Sequence, residues 1–311
     1  MKRIALLGEC MIELNGAPFG AMTQAYGGDS LNTAVYLARC AGEKISVEYV
    51  SALGCDAISD GMIERWQAEG VSTDLVLRDH SRQPGLYLIQ LDEQGERTFL
   101  YWRNQSAARY MLQHQEFAQV EAALANVDMV YLSGISLAIL PQQDRLRLIE
   151  LLSQLSEQGV EIAFDSNYRP ALWRDADEAR ECYRQLLEIT DLALVTNDDE
   201  QALWGDGDEE ETLSRLQAAG VKKAVVKMGA KGNHYQDFVA GSRQTIATTP
   251  VEHVVDTTSA GDSFNAGFLA GYLQDKDAEQ CSRQGHQLAG IVIQHKGAII
   301  PKHATDAISF A

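Results

Sequence analysis

The chain has 311 residues, 45% of them hydrophobic, enough to bury a large core as one α/β domain or as two smaller ones. A formal charge of −18 argues against a broad basic face, and so against nucleic acid or anionic lipid as partners, because such faces must offset phosphate charge. Small molecules are the expected partners, and an anionic one would require a local cluster of Arg or Lys.

The five cysteines (Cys10, Cys40, Cys55, Cys182, Cys281) are scattered, without a CxxC pair, and suit a reducing compartment. Lys2 and Arg3 precede an apolar run that stops at Gly8 and Glu9, too short for a signal peptide or membrane span. It reads as a buried first strand, and the expected location is the cytoplasm.

Along the chain, short apolar runs at 4–7, 47–53, 129–133, 162–164, 192–195 and 224–227 alternate with stretches of helical period such as 142–158, 178–189 and 210–219. Strand alternating with helix predicts a doubly wound α/β fold, a mostly parallel sheet covered on both faces, with 1–311 as a single domain. One segment breaks the rhythm. Two β-rich runs, 85–92 and 97–103, flank Glu93-Gln-Gly-Glu96 and predict a hairpin. It is either an edge hairpin of the main sheet or a small β-lid, the latter favoured by Tyr87, Tyr101 and Arg103, which suit ligand contact. The lid is expected to comprise about 12–26 and 84–104. Trp66, Trp173 and Trp204 fall in helical stretches and read as core, and the seven dispersed histidines show no zinc spacing.

The densest chemical signal is Asp256-Thr-Thr-Ser-Ala-Gly-Asp262-Ser-Phe-Asn-Ala-Gly. A turn of small residues opening into an apolar helix aims unpaired N–H groups and the positive end of the helix dipole at one spot, an anion hole fit for a phosphoryl group. Asp262 within it would repel phosphate unless it takes a proton from an attacking hydroxyl. Capping the helix is the other reading, and spacing alone does not choose.

This stretch resembles the C-terminal signature of the ribokinase-type (PfkB) carbohydrate kinases, and Tyr26-Gly-Gly-Asp-Ser-Leu-Asn32 resembles that family's N-terminal Gly-Gly motif. The resemblance runs over essentially the whole chain. It implies ATP and Mg²⁺ as co-substrate and cofactor, with a monovalent cation near Asp256 left open. It makes Asp262 the general base and the N–H groups of Ala260 and Gly261 the hole for the transferring phosphoryl. The family usually has Gly where this chain has Ser259, which would be strained if that position needs φ > 0.

Further implied contacts to the nucleotide come from Asn167, Asn197, Lys227, Gly229, Lys231, Gly232 and Ser259, with Asn197 and Glu200 holding Mg²⁺ through water. Residues 289–294 and 297–301 would lie by the adenine. Tyr101-Trp-Arg103-Asn and Gly8-Glu-Cys-Met-Ile-Glu-Leu14 resemble the branch that phosphorylates the sugar acid 2-keto-3-deoxygluconate. The Asp165-Ser-Asn167-Tyr-Arg169 run is shared with fructokinases, which remain the alternative. On this reading Gly28, Asn32, Tyr87, Tyr101, Arg103, Arg169 and Asp262 surround the substrate, with an Arg fork for its carboxylate. A catalytically silent sugar-acid sensor is a more distant alternative. The lid's aromatics could pair two copies as a homodimer.

Overall fold

Alternate residues of the central strands face opposite layers of core, which is why they read as unbroken apolar runs. In β1 (Lys2–Leu7), Ile4 and Leu6 pack into one layer while Ala5 and Leu7 pack into the other. The computed structural model describes residues 1–91, 97–306, 308 and 310, with Leu91 and Arg97 by backbone alone. The predicted turn at 93–96 lies outside the described residues.

The remaining strands are β2 (Met11–Gly16), β3 (Met22–Gly27), β4 (Ile45–Gly54), β5 (Val76–Asp79), β6 (Leu86–Leu91), β7 (Arg97–Trp102) and β8 (Met129–Ser133). The second half adds β9 (Glu161–Asp165), β10 (Leu192–Thr196), β11 (Lys223–Lys227), β12 (Asn233–Asp237) and β13 (Ser242–Ile246). Nine strands form the main sheet in the order β13-β12-β11-β10-β9-β8-β1-β4-β5, all neighbours parallel except the β11-β12-β13 edge. Four form a separate sheet, β3-β2-β6-β7, so the 85–103 hairpin pairs with β2 and not with the main sheet.

The helices are α1 (Asp29–Ala41), α2 (Ala57–Ala68), α3 (Phe117–Leu124), α4 (Gly134–Ala138) and α5 (Gln142–Glu157). They continue with α6 (Ala176–Leu187), α7 (Asn197–Trp204), α8 (Glu209–Ala218), α9 (Ala260–Tyr272) and α10 (Ala278–Val292). α1, α2, α9 and α10 cover one face of the sheet, and α3, α5, α6, α7 and α8 the other. The helix predicted at 178–189 begins earlier because Asp175 caps it, its carboxylate accepting from the Glu178 N–H at 2.8 Å. The polar β12–β13 hairpin had no apolar pattern to announce it, since it closes an edge.

Of the tryptophans, Trp66 is fully buried and Trp173 nearly so, while Trp204 is half-buried with the Arg215 guanidinium 4.5 Å from its ring centre. Residues 297–301 depart from their expected place by the nucleotide. The Ala298 carbonyl and Ile300 N–H bond the Tyr36 hydroxyl at 2.8 and 3.0 Å, and Arg39 donates to the Ile300 carbonyl at 2.9 Å, tying the segment to α1.

α9 is buried from Ser263 to Gly271 and lies against α10 at very close range. A β-carbon on Gly267 would fall 2.7 Å from the Gln284 carbonyl oxygen and 2.9 Å from the Gly285 Cα. Backbone has to move to admit it, so Gly267→Ala should cost about 1–3 kcal/mol. Urea unfolding monitored by circular dichroism will read this as a lower midpoint with an unchanged slope.

Candidate active site

In a parallel sheet the C-terminal strand ends lie along one edge, and loops leaving them converge there. β9 ends at Asp165, β10 runs into Asn197 and β11 ends at Lys227. Above this edge opens a cleft of about 800 Å³, lined along its length by Asp29, Asn32, Asp165, Asn167, Arg169, Lys227 and the first turn of α9.

At the start of α9, where the sequence suggests an anion hole, the Ala260 N–H already donates to the Thr257 carbonyl at 3.2 Å. Ser259 precedes the helix with φ 63° and ψ 15°, so the position does require the left-handed region. Ala260 and Gly261 follow as the first helical residues, their N–H groups at the positive end of a 13-residue helix. A β-carbon on Gly261 would lie 3.7 Å from the Lys227 Nζ, so the buried ammonium sits directly beneath the hole.

Asp262 is the third residue of the helix. Its Oδ2 accepts from Asn32 Nδ2 and from Ser259 Oγ, both at 2.9 Å. Burial, then the nearby Asp29 charge, push its carboxyl up to about 7, with Asp165 adding to the rise and the Asn32 and Ser259 bonds opposing it. A carboxyl poised near neutrality suits proton transfer and is not what a solvent-facing helix cap would show.

Two acids that the sequence reading had not assigned complete the centre. Asp29 lines the cleft and accepts from Asn167 Nδ2 at 2.7 Å; desolvation raises its pKa. Asp165 accepts from Asn265 Nδ2 at 2.8 Å and lies 3.4 Å from the Lys227 ammonium. The signal for Asp165 was its place at the end of an apolar strand. Asn167 holds φ 30°, an uncommon value that turns its amide back toward Asp29.

Other expected residues are divided. Gly229, Ala230 and Gly232 line the cleft, as do Ala289, Gly290 and Ile293, whereas Lys231 is exposed and does not. In the Asn197–Glu200 turn it is Asp198 and Asp199 that line the cleft. Glu200 is buried against Arg215, 2.5 Å away. Asn197 Oδ1 is buried and takes no hydrogen bond among the described residues. Arg169 lines the cleft but also meets Asp199 at 3.2 Å.

The small sheet carries the rest. Gly28 has to be glycine because a β-carbon there would lie 2.1 Å from the Glu9 carbonyl oxygen. Tyr87 donates its hydroxyl to Glu13 at 2.5 Å, and Tyr101 is exposed. Arg103 is neither an exposed cation nor a free fork. Its Nε donates to Glu9 Oε2 at 2.8 Å and its Nη2 bonds the same oxygen. Glu9 is buried, and its Oε1 has no partner among the described residues.

A cleft at the C-terminal strand ends, a helix start beside a buried lysine and a near-neutral carboxyl are parts that a phosphoryl-transfer enzyme needs. The chain belongs to the pfkB family of carbohydrate kinases, whose sequence profile matches residues 1–305. It is 60% identical over 305 residues to the 2-dehydro-3-deoxygluconokinase of Haemophilus influenzae, covering 98% of this chain and 97% of that one. The 2-dehydro-3-deoxygluconokinase of Escherichia coli K12 is 46% identical over 310 residues, with 98% and 99% covered. The crystal structure of a fructokinase with bound ATP from Xylella fastidiosa matches in fold, with a TM-score of 0.80 at 22% identity over 97% of this chain and 94% of that one.

The pH dependence of stability follows from Asp262. A carboxyl whose folded pKa lies near 7 rather than 3.8 contributes stability that is full below about 4 and lost as pH rises through 7. Asp262→Asn cannot ionise, so it should melt above the wild type at pH 8 and lose that advantage as pH falls toward 4. Thermal unfolding across that window checks the sign.

Proposed function

We propose that the chain is an ATP-dependent kinase of 2-keto-3-deoxygluconate, synonymous with 2-dehydro-3-deoxygluconate, phosphorylating its terminal hydroxyl to give 2-keto-3-deoxy-6-phosphogluconate. The substrate assignment is supported by the 60% identity to the Haemophilus influenzae enzyme over nearly the full chain. For the chemistry, the single observation that carries the reading is a carboxyl held near pH 7 at the mouth of the α9 anion hole.

In this reading the acceptor hydroxyl gives its proton to Asp262 as its oxygen attacks the γ-phosphorus. The bond from that phosphorus to the bridging oxygen breaks, and ADP leaves with its electrons. Charge spreads onto the γ-phosphoryl oxygens, where the Ala260 and Gly261 N–H groups and the Lys227 ammonium offset it. Asn167, Gly229, Gly232 and Ser259 border the nucleotide. Lys231, which is exposed, would reach it only from the rim of the cleft. The donors of the 197–200 turn suit Mg²⁺, which prefers hard oxygen and keeps several waters; Asn197 and Glu200 would hold it through water, with Asp199 the nearer carboxylate. When bound, the ion offsets phosphate charge.

The small sheet acts as the lid. Gly28, Asn32, Tyr87, Tyr101, Arg103 and Arg169 surround the sugar acid, and Arg103 keeps its Nη1 edge for the substrate carboxylate while Glu9 holds the other. Exposed Phe99, Leu100, Tyr101 and Trp102 support pairing of two copies through this sheet. The monovalent-cation reading attaches to buried Asp256, beside the cleft-lining Thr257, and rests on family resemblance. Five free cysteines suit the cytoplasm.

Two measurements test the assignment. Asp262→Asn keeps the shape without the proton acceptor, so kcat should fall by roughly 10²- to 10⁴-fold with little change in substrate affinity; retention of more than about a tenth of kcat would reduce Asp262 to a cap.

Arg103→Ala should lower kcat/KM for 2-keto-3-deoxygluconate by roughly 10- to 200-fold in an ADP-release assay and leave neutral sugars flat, with Arg103→Lys recovering part of the loss. Equal losses on acid and neutral sugars would make Arg103 a support of the lid fold alone.

A further inference from the structure

Ser259 stands where a β-carbon is disfavoured. Its φ of 63° and ψ of 15° are values that glycine adopts without cost. Its carbonyl is fixed, accepting from Ser263 N at 2.9 Å and from Ser263 Oγ at 2.7 Å. That anchored backbone aims the Ser259 hydroxyl at Asp262 Oδ2, 2.9 Å away. The Asn32 amide donates to the same oxygen, also at 2.9 Å. Among the described residues no hydrogen bond ends on Oδ1. The two donors therefore occupy one oxygen and leave the other to the acceptor.

We propose that Ser259 is a positioning residue for the base, which with Asn32 locks one carboxylate oxygen of Asp262 so that the other faces the substrate hydroxyl, and that backbone strain is tolerated to place this hydroxyl. The inference rests on Asp262 acting as the base.

The sign of the effect follows from the bond. A donor to a carboxylate favours its ionised form, which is the form that accepts a proton. Removing the hydroxyl should make Asp262 harder to ionise and move the acidic limb of the rate profile to higher pH. The groups that bear on Asp262 are the Asp29 and Asp165 carboxylates, the Lys227 ammonium below the helix start, the Tyr36 and Tyr131 phenols, and the His286 imidazole along the cleft. All remain in the variants compared, so the difference between profiles isolates the hydroxyl.

The test measures kcat against pH, at saturating ATP and 2-keto-3-deoxygluconate, for the wild type, Ser259→Ala and Ser259→Gly, with thermal unfolding of each. Ala keeps the strained conformation without the hydroxyl, and Gly removes both. In each variant the acidic limb should move up by about 0.5–1 pH unit, lowering kcat at pH 6 by roughly 3- to 10-fold, with the gap narrowing at pH 9. Ser259→Gly should melt above Ser259→Ala, and it carries the test alone if the Ala variant does not fold. An acidic limb that stays in place overturns the proposal whatever the melting temperatures do, because a plain helix cap alters stability and leaves the limb alone. Asp262→Asn separates the two levels. If it stays active, the base reading falls and this inference with it; if it is inactive while the serine variants keep the wild-type limb, only the role of Ser259 is lost.

Discussion

Three carboxylates gathered at one end of the sheet, Asp29, Asp165 and Asp262, cannot all be charged there without opposition, and the cleft end of the molecule is arranged around that constraint. The buried Lys227 ammonium goes to Asp165, with Asn265 as a second donor. Asp29 receives an amide from Asn167, and Asp262 receives an amide and a hydroxyl. Neutral donors offset a charge less than a cation does, so burial raises the carboxyls of both Asp29 and Asp262, that of Asp262 to about 7. A carboxyl near neutrality thus results from burial among acids that share few partners.

That sharing depends on the positions of α1, β9, β11 and α9 relative to one another. Parallel strands put Asp165 and Lys227 on the same edge. α9 must then lie close enough for its first turn to sit over Lys227, and its glycines permit the approach to α10 that holds it there. The same helix turns the positive end of its dipole toward the cleft, although its Ala260 N–H already donates to the Thr257 carbonyl. One packing arrangement therefore sets both the start of α9 and the environment of Asp262.

How much of this the sequence disclosed varies with the kind of signal. Strands β8, β9, β10 and β11 were legible because burial on both faces makes them uninterrupted apolar runs, and α9 was legible because small residues led into an apolar helix. β12 and β13 were not, since an edge hairpin needs no apolar pattern. In the cleft, Asp262, Asn32 and the Ala260–Gly261 pair were singled out from their motifs, and the fold brings them together. The partnerships were hidden. Nothing local in the chain indicates that Glu9 faces Arg103, 94 positions away, that Asn167 reaches Asp29, or that Glu200 is held by Arg215. Such pairs depend on tertiary approach, and the residue types admit many other pairings.

The Glu9–Arg103 pair has a bearing on how acceptor preference can change over time. Glu9 is buried with one oxygen lacking a partner among the described residues, so loss of Arg103 alone would strand a charge in the interior, which typically costs several kcal/mol. With Arg103 as the acid-binding group proposed above, a drift toward neutral sugars cannot proceed through that position by itself. Glu9 would have to be neutralised first or in the same step, and a lone neutral Glu9 would leave Arg103 with no internal counter-charge when the lid is empty. The two sites are thus expected to be epistatic, each holding the other in place, so that the preference for an acid is protected from single substitutions by folding stability as well as by selection on the reaction.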